Sequence, residues 1–171
     1  MKIKKIFISG GGGYVGSSLV SLLLKNNYFV TVYDIFNFGN NLKKNKSLSI
    51  IKGDIRDIKK LKESINDHDC VINLAHVQGD ERFMINKKIS TEINRDSFKP
   101  FVEISKKLGI KKFINTSSSS VYGISNKKND EKNKPYPVSL YSKINLINEN
   151  ELHKFSSSSF VTTNVRPGSI Y

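Results

Sequence analysis

Residues 10–16 read GGGGYVG and follow the apolar run Ile6-Phe7-Ile8. A strand that ends in such a turn and opens a helix is suited to hold a dinucleotide pyrophosphate. Glycine lets the backbone come close to phosphate oxygens, where a Cβ would collide. The helix opens at Tyr14 and Val15, and its first N–H groups and dipole face the negative charge. Two spacings fit the same glycines: Gly11, Gly13 and Gly16 give G-x-G-x-x-G, whereas Gly10, Gly13 and Gly16 give G-x-x-G-x-x-G. The loop alone does not choose between them.

Two carboxylates extend this reading. Asp34 ends the run FVTVYD, eighteen positions after Gly16. An acid there accepts hydrogen bonds from the adenosine ribose hydroxyls and repels a 2′-phosphate, which favours NAD over NADP. Asp54, in GDIRD, is placed to accept from the adenine amino group, with Ile55 against the ring.

The elements that must position these groups alternate along the chain. Strands are predicted over 5–9, 29–34, 48–52, 70–74, 112–116 and 160–165. Helices are predicted over 14–26, 57–65 with Asp57 as N-cap, 89–108 ending at Gly109, and 139–154. Residues 37–46 form a polar loop, and Pro100 should kink the long helix or start a second one there. Near-continuous apolar strands between helices predict one α/β domain over 1–171, a doubly wound parallel sheet (Rossmann fold) covered on both faces.

Taken together, SGGGGYVG (9–16), YD (33–34), GDIRD (53–57), NLAH (73–76), Asn94, SSSSVYG (117–123), LYSKIN (140–145) and RPGSIY (166–171) resemble the extended short-chain dehydrogenases/reductases. That family includes the NAD-dependent nucleotide-sugar epimerases and dehydratases. The resemblance covers essentially the whole chain and favours the wider glycine spacing. It implies that Leu74 and Ala75 lie along the cofactor and that Asn94 helps place a helix beside the nicotinamide ribose. It also implies that Pro167 passes near the carboxamide. A C-terminal substrate lobe present in family members is absent after RPGSIY, so the chain reads as truncated before it.

The resemblance also implies a catalytic pair. Tyr141 matches the family tyrosine that takes a proton from a sugar hydroxyl, and Ser118 matches the residue that hydrogen-bonds that hydroxyl. The family lysine, four positions after the tyrosine and so on the same helix face, is replaced by Asn145. Asparagine brings no positive charge to draw off the phenolic proton. No Tyr-x-x-x-Lys occurs anywhere in the chain. Ser119 and Ser120 stand where the dehydratase branch carries an acid, which brings the pattern closer to a sugar 4-epimerase. Two other readings stay open: an inactive NAD-binding module or truncated remnant, and an NAD-dependent carbonyl or sugar oxidoreductase. His76 stands where the family has a small residue.

Composition narrows the partners. The 171 residues carry a formal charge of +13, yet only four of the 28 basic residues are arginines. The lysines are scattered, without the arginine and aromatic platform of a nucleic-acid surface. The resemblance makes a nucleotide sugar the expected partner; the scattered lysines argue against nucleic acid, and no segment is long enough to cross a membrane. Asp80, Glu81, His68 and His153 lack metal-ligand spacing, so no metal is expected. Cys70, the one cysteine, reads as a buried core thiol, and the chain is expected to be cytoplasmic. The resemblance implies a possible homodimer, through the helices at 89–108 and 139–154.

Overall fold

Six short strands pair in parallel in the order β3-β2-β1-β4-β5-β6. They are β1 (Lys5–Ser9), β2 (Phe29–Asp34), β3 (Leu48–Lys52), β4 (Cys70–Asn73), β5 (Lys112–Thr116) and β6 (Val161–Val165). The helices are α1 (Tyr14–Lys25), α2 (Ile58–Ile65), α3 (Asp80–Ile85), α4 (Lys87–Thr91), α5 (Phe98–Lys107) and α6 (Leu140–Phe155). The computed structural model describes residues 3–126 and 128–170; Tyr171, the end of RPGSIY, lies outside them. The chain builds outward from β1 to β3, then returns to place β4 on the other side of β1. That reversal is the switch point of a doubly wound sheet, and ligands bind at the strand C-termini there.

The local signals largely hold. Asp57 caps α2, its side chain accepting from Lys60 N–H at 3.0 Å. Ser139 and Ser142 form a reciprocal capping box at the start of α6. Cys70 is buried, and its thiol pKa is pushed up to about 11 by burial. The long helix expected over 89–108 is instead interrupted. It contains a π turn, Glu92–Asp96, in which Ser97 N–H reaches back to the Glu92 carbonyl at 3.0 Å. Pro100 has no N–H to give Asp96, so α5 restarts at Phe98, with Pro100 in its first turn.

The sheet is not covered equally on its two faces. Phe7, Val71 and Phe113 pack with Leu61 of α2, Phe101 of α5 and Leu152 of α6 on one face. Phe101 and Phe113 meet edge to face at 5.2 Å between centroids. On the other face, Ile6, Ile8, Val30, Val32 and Ile72 pack with Val20 of α1. Val161 and Val165 of β6 stay 40% and 45% exposed, contrary to the expectation of full coverage. The cause is the direction of the crossovers. With right-handed connections, a helix lies on one face when the chain moves one way along the sheet and on the other face when it moves back. Only α1 connects strands in the outward direction, because β2 and β3 are joined without a helix. Among the described residues, no helix is long and apolar enough to cross a membrane.

Candidate active site

The glycine loop closes the C-terminal end of β1 against that of β4. Gly10 has φ +75°, and a Cβ on it would lie 2.6 Å from the Ala75 nitrogen. A Cβ on Gly16 would lie 2.5 Å from the Gly10 carbonyl oxygen. Only glycine allows the loop, α1 and the Leu74-Ala75 segment to meet this closely. Leu74 N–H donates to Ser9 at 2.9 Å, and Gly10 N–H donates to Tyr33 at 2.9 Å, which fixes the loop to both neighbouring strands. Gly13 caps α1 without a side-chain hydrogen bond, and the first turn holds no acid. The N–H groups that open α1 are thus left for an anion, as a pyrophosphate requires. A Cβ on Gly11 would meet the Val32 side chain at 2.8 Å and one on Gly13 the Gly10 carbonyl oxygen at 3.3 Å, so both glycine spacings are compatible with the loop.

Asp34 sits at the end of β2 beside the loop. One carboxylate oxygen accepts from Gly12 N–H at 2.9 Å and the other from Phe36 N–H at 2.7 Å. The acid therefore braces the loop. Asp54 is committed to Arg56, accepting from Nε at 3.0 Å and Nη2 at 2.6 Å. Arg56 holds its carboxyl below the ordinary range and also reaches Glu92 at 3.1 Å. Ile55 lies in the core with Tyr33 and Leu61, only 7% exposed. The hydroxyl of Tyr33 donates to the Asp54 carbonyl at 2.9 Å, and burial, then Asp57 and Asp54, push its pKa up to about 12.

The predicted catalytic residues come from β5 and α6. Tyr141 is 5% exposed, and its ring lies 6.2 Å from that of Phe83 in α3. Asn145 is buried one turn later and donates to the Tyr141 carbonyl oxygen at 3.0 Å. Ser118 is half-buried and caps the 3-10 turn Ser119–Tyr122, accepting from Ser120 N–H at 3.1 Å. The strand ends bring this turn to the RPG segment: Ser119 N–H donates to the Pro167 carbonyl at 3.0 Å. Asn94 lies in the π turn, and its side chain both accepts from Val77 N–H at 2.8 Å and donates to Val77 O at 2.9 Å. It thereby pins the loop that follows β4. His76 in that loop is held neutral, its pKa lowered to about 4 by burial.

Three polar arrangements escaped the sequence reading. The first is a row across four strands, one register position wide, buried at Ser9, Asn73 and Asn115 and half-buried at Asn164. Ser9 donates to Asn73 at 2.7 Å, Asn73 to Asn115 at 3.1 Å, and Asn115 to Asn164 at 3.1 Å. Second, Glu149 of α6 is buried and receives Arg166 through Nε at 3.0 Å and Nη2 at 2.6 Å, together with the Ser117 hydroxyl. Arg166 also donates to the Tyr122 hydroxyl at 2.9 Å. Third, Asn148 donates to the Asn94 carbonyl at 2.7 Å, tying α6 to the π turn. The arginine of RPG was the one visible signal for the second; the others needed the strand register or the helix packing.

Among the described residues, no group of three or more His, Cys, Asp or Glu could hold a metal ion. Residues 6–171 match the family model described as NAD dependent epimerase/dehydratase family. Protein CapI of Staphylococcus aureus is 30% identical over 98% of this chain and 54% of its own length. A UDP-N-acetyl-alpha-D-glucosaminuronate decarboxylase of Bacillus cytotoxicus is 33% identical over 70% of this chain and 38% of its own. The structure of a UDP-N-acetylglucosamine 4-epimerase from Methanobrevibacter ruminantium superposes with TM-score 0.86 at 30% identity, covering 97% of this chain and 55% of that one. The chain spans about half the length, or less, of these relatives.

Proposed function

This chain belongs to the NAD dependent epimerase/dehydratase family, and we propose on that premise that it binds NAD in the crevice between β1 and β4 and presents a nucleotide sugar to Tyr141. The observation that carries the reading is the uncapped start of α1 beside Gly10 and Ala75, where the backbone leaves N–H groups for a pyrophosphate. Asp34 supports NAD over NADP, because its carboxylate at the ribose position repels a 2′-phosphate. When bound, NAD supplies a hydride acceptor for a sugar carbon and a donor for its return. Tyr141 takes the proton of the sugar hydroxyl, and Ser118 hydrogen-bonds that hydroxyl. Leu74, Ala75 and Pro167 line the cofactor. Asp54 and Ile55 stay assigned to the adenine end, where Asp54 takes the amino group by giving up part of its four-contact grip on Arg56. The serines at 119 and 120 offer no acid for eliminating water, which favours 4-epimerisation over dehydration. A homodimer would use the outer sides of α4, α5 and α6, where Ile89 and Ile147 stay exposed.

One observation favours a second reading, an NAD-binding module without turnover. Asn145 is neutral and turns its amide to the helix backbone, so it brings no charge to the Tyr141 proton. A single experiment separates the two. The purified protein is tested for retained NAD(H), then mixed with UDP-sugars while the absorbance of reduced nicotinamide is followed. Retention with reduction supports the enzyme, and retention without reduction supports the module. Loss of both defeats both readings.

A further inference from the structure

The turn after β3 places an arginine beside the acid assigned to adenine. Ile55 is buried, whereas Asp54 and Arg56 on either side of it stay part-exposed. Asp54 Oδ1 accepts from Arg56 N–H at 2.9 Å and Nε at 3.0 Å, and Oδ2 accepts from Nε at 3.1 Å and Nη2 at 2.6 Å. A carboxylate offers about four acceptor positions, so none is left over. The guanidinium keeps donors in reserve. Nη1 gives one N–H to Glu92 at 3.1 Å, and among the described residues one N–H on Nη1 and one on Nη2 have no partner. Resting on the NAD reading above, we infer that the Asp54–Arg56 pair, rather than Asp54 alone, reads the purine base, and that it admits a dinucleotide whose purine carries a 6-oxo group about as well as one with a 6-amino group.

The frame around the pair is fixed. Gly53 N–H donates to the Asp34 carbonyl at 2.9 Å, and Asp57 N–H donates to the Asp54 carbonyl at 3.0 Å. The Tyr33 hydroxyl reaches that same carbonyl at 2.9 Å. Glu92, in the π turn, anchors the far side of the guanidinium. The pair thus keeps its place as a base approaches, and the base edge decides what is exchanged. A 6-amino group donates, so it needs a lone pair that Asp54 must first withdraw from a charge-assisted bond to Arg56. A 6-oxo group accepts, and it finds free N–H groups on Arg56 with no bond given up. Against a bare carboxylate the same oxygen would set two acceptors face to face, so Arg56 is the residue that sets the choice.

The test is a competition for bound NADH, followed by its fluorescence, between NAD and nicotinamide hypoxanthine dinucleotide, the 6-oxo counterpart. The parent is expected to bind the two within about fivefold of each other. Arg56→Met removes the free N–H groups and releases Asp54, so its preference for NAD should exceed the parent's by at least about tenfold. Lys59→Met, on α2 outside the pair, should keep the parent ratio. A parent that prefers NAD by more than about fivefold overturns the inference, whether or not the variant folds. An Arg56→Met variant with the parent ratio also overturns it, as does a Lys59→Met variant shifted as far as Arg56→Met. Those outcomes leave NAD binding standing. A parent that binds neither NADH nor either dinucleotide defeats the proposed function itself.

Discussion

Asn145 donates its side-chain amide to the carbonyl oxygen of Tyr141 at 3.0 Å, one turn back along α6. The position that would charge the site is thus spent on the helix's own backbone. Asn145→Lys is expected to raise the rate of nicotinamide reduction with UDP-glucose at least tenfold, about 1.4 kcal/mol of barrier. Single-turnover absorbance checks it. A variant no faster than the parent would show that the missing lysine is not what limits the site.

The glycine loop predicts a separable pair of effects. Gly16→Ala drives a Cβ to 2.5 Å from the Gly10 oxygen, a backbone atom that cannot swing away. It should cost about 1–3 kcal/mol of stability and abolish NAD retention. In Gly13→Ala the nearest atom is at 3.3 Å. Retention should fall with a smaller stability loss, read from urea midpoints and released NAD.

The Glu149–Arg166 pair is half of a buried network, and removing one partner strands the other. Glu149→Gln should destabilise by about 3 kcal/mol, because the amide keeps only one acceptor oxygen, carries no charge to pair with Arg166 and turns an NH2 toward Arg166 or Ser117. Glu149→Met with Arg166→Met should recover part of that loss. Equal urea midpoints for parent and Glu149→Gln would show that the network contributes no stability.

His76 gives a pH signature of known sign. Burial lowers its pKa from 6.5 to about 4. Between those values the unfolded chain binds more protons, so stability is full above pH 6.5 and falls as pH drops toward 4. The loss should be on the order of 1–3 kcal/mol, and His76→Gln should flatten it. Asp54, lowered by Arg56, contributes only in the more acidic range below the ordinary carboxylate value, so the two windows do not overlap strongly. Urea denaturation at pH 7 and pH 4.5 provides the comparison.

Much of this site was legible in the sequence. Apolar runs located all six strands to within a residue at each end; β4 ended one residue early and β6 began one residue late. Asp57 and Ser139 marked helix starts because capping is a local exchange of hydrogen bonds. Helix α3 was missed. Six residues give too little periodicity, and so short a helix persists by packing Phe83 on Tyr141 rather than by its own propensity. The row Ser9, Asn73, Asn115 and Asn164 was missed because each reads alone as a polar strand end.

The chemistry that a residue type permits is local, so the sequence alone showed the glycine loop after β1, the acid that ends β2 and the neutral Asn145. Which polar groups meet depends on strand register and crossover direction, which are global. Tertiary structure alone decided that Glu149, a mid-helix acid, is buried against Arg166. It likewise aligned four distant polar residues in one row, left one sheet face open at β6, and set Arg56 between Asp54 and Glu92.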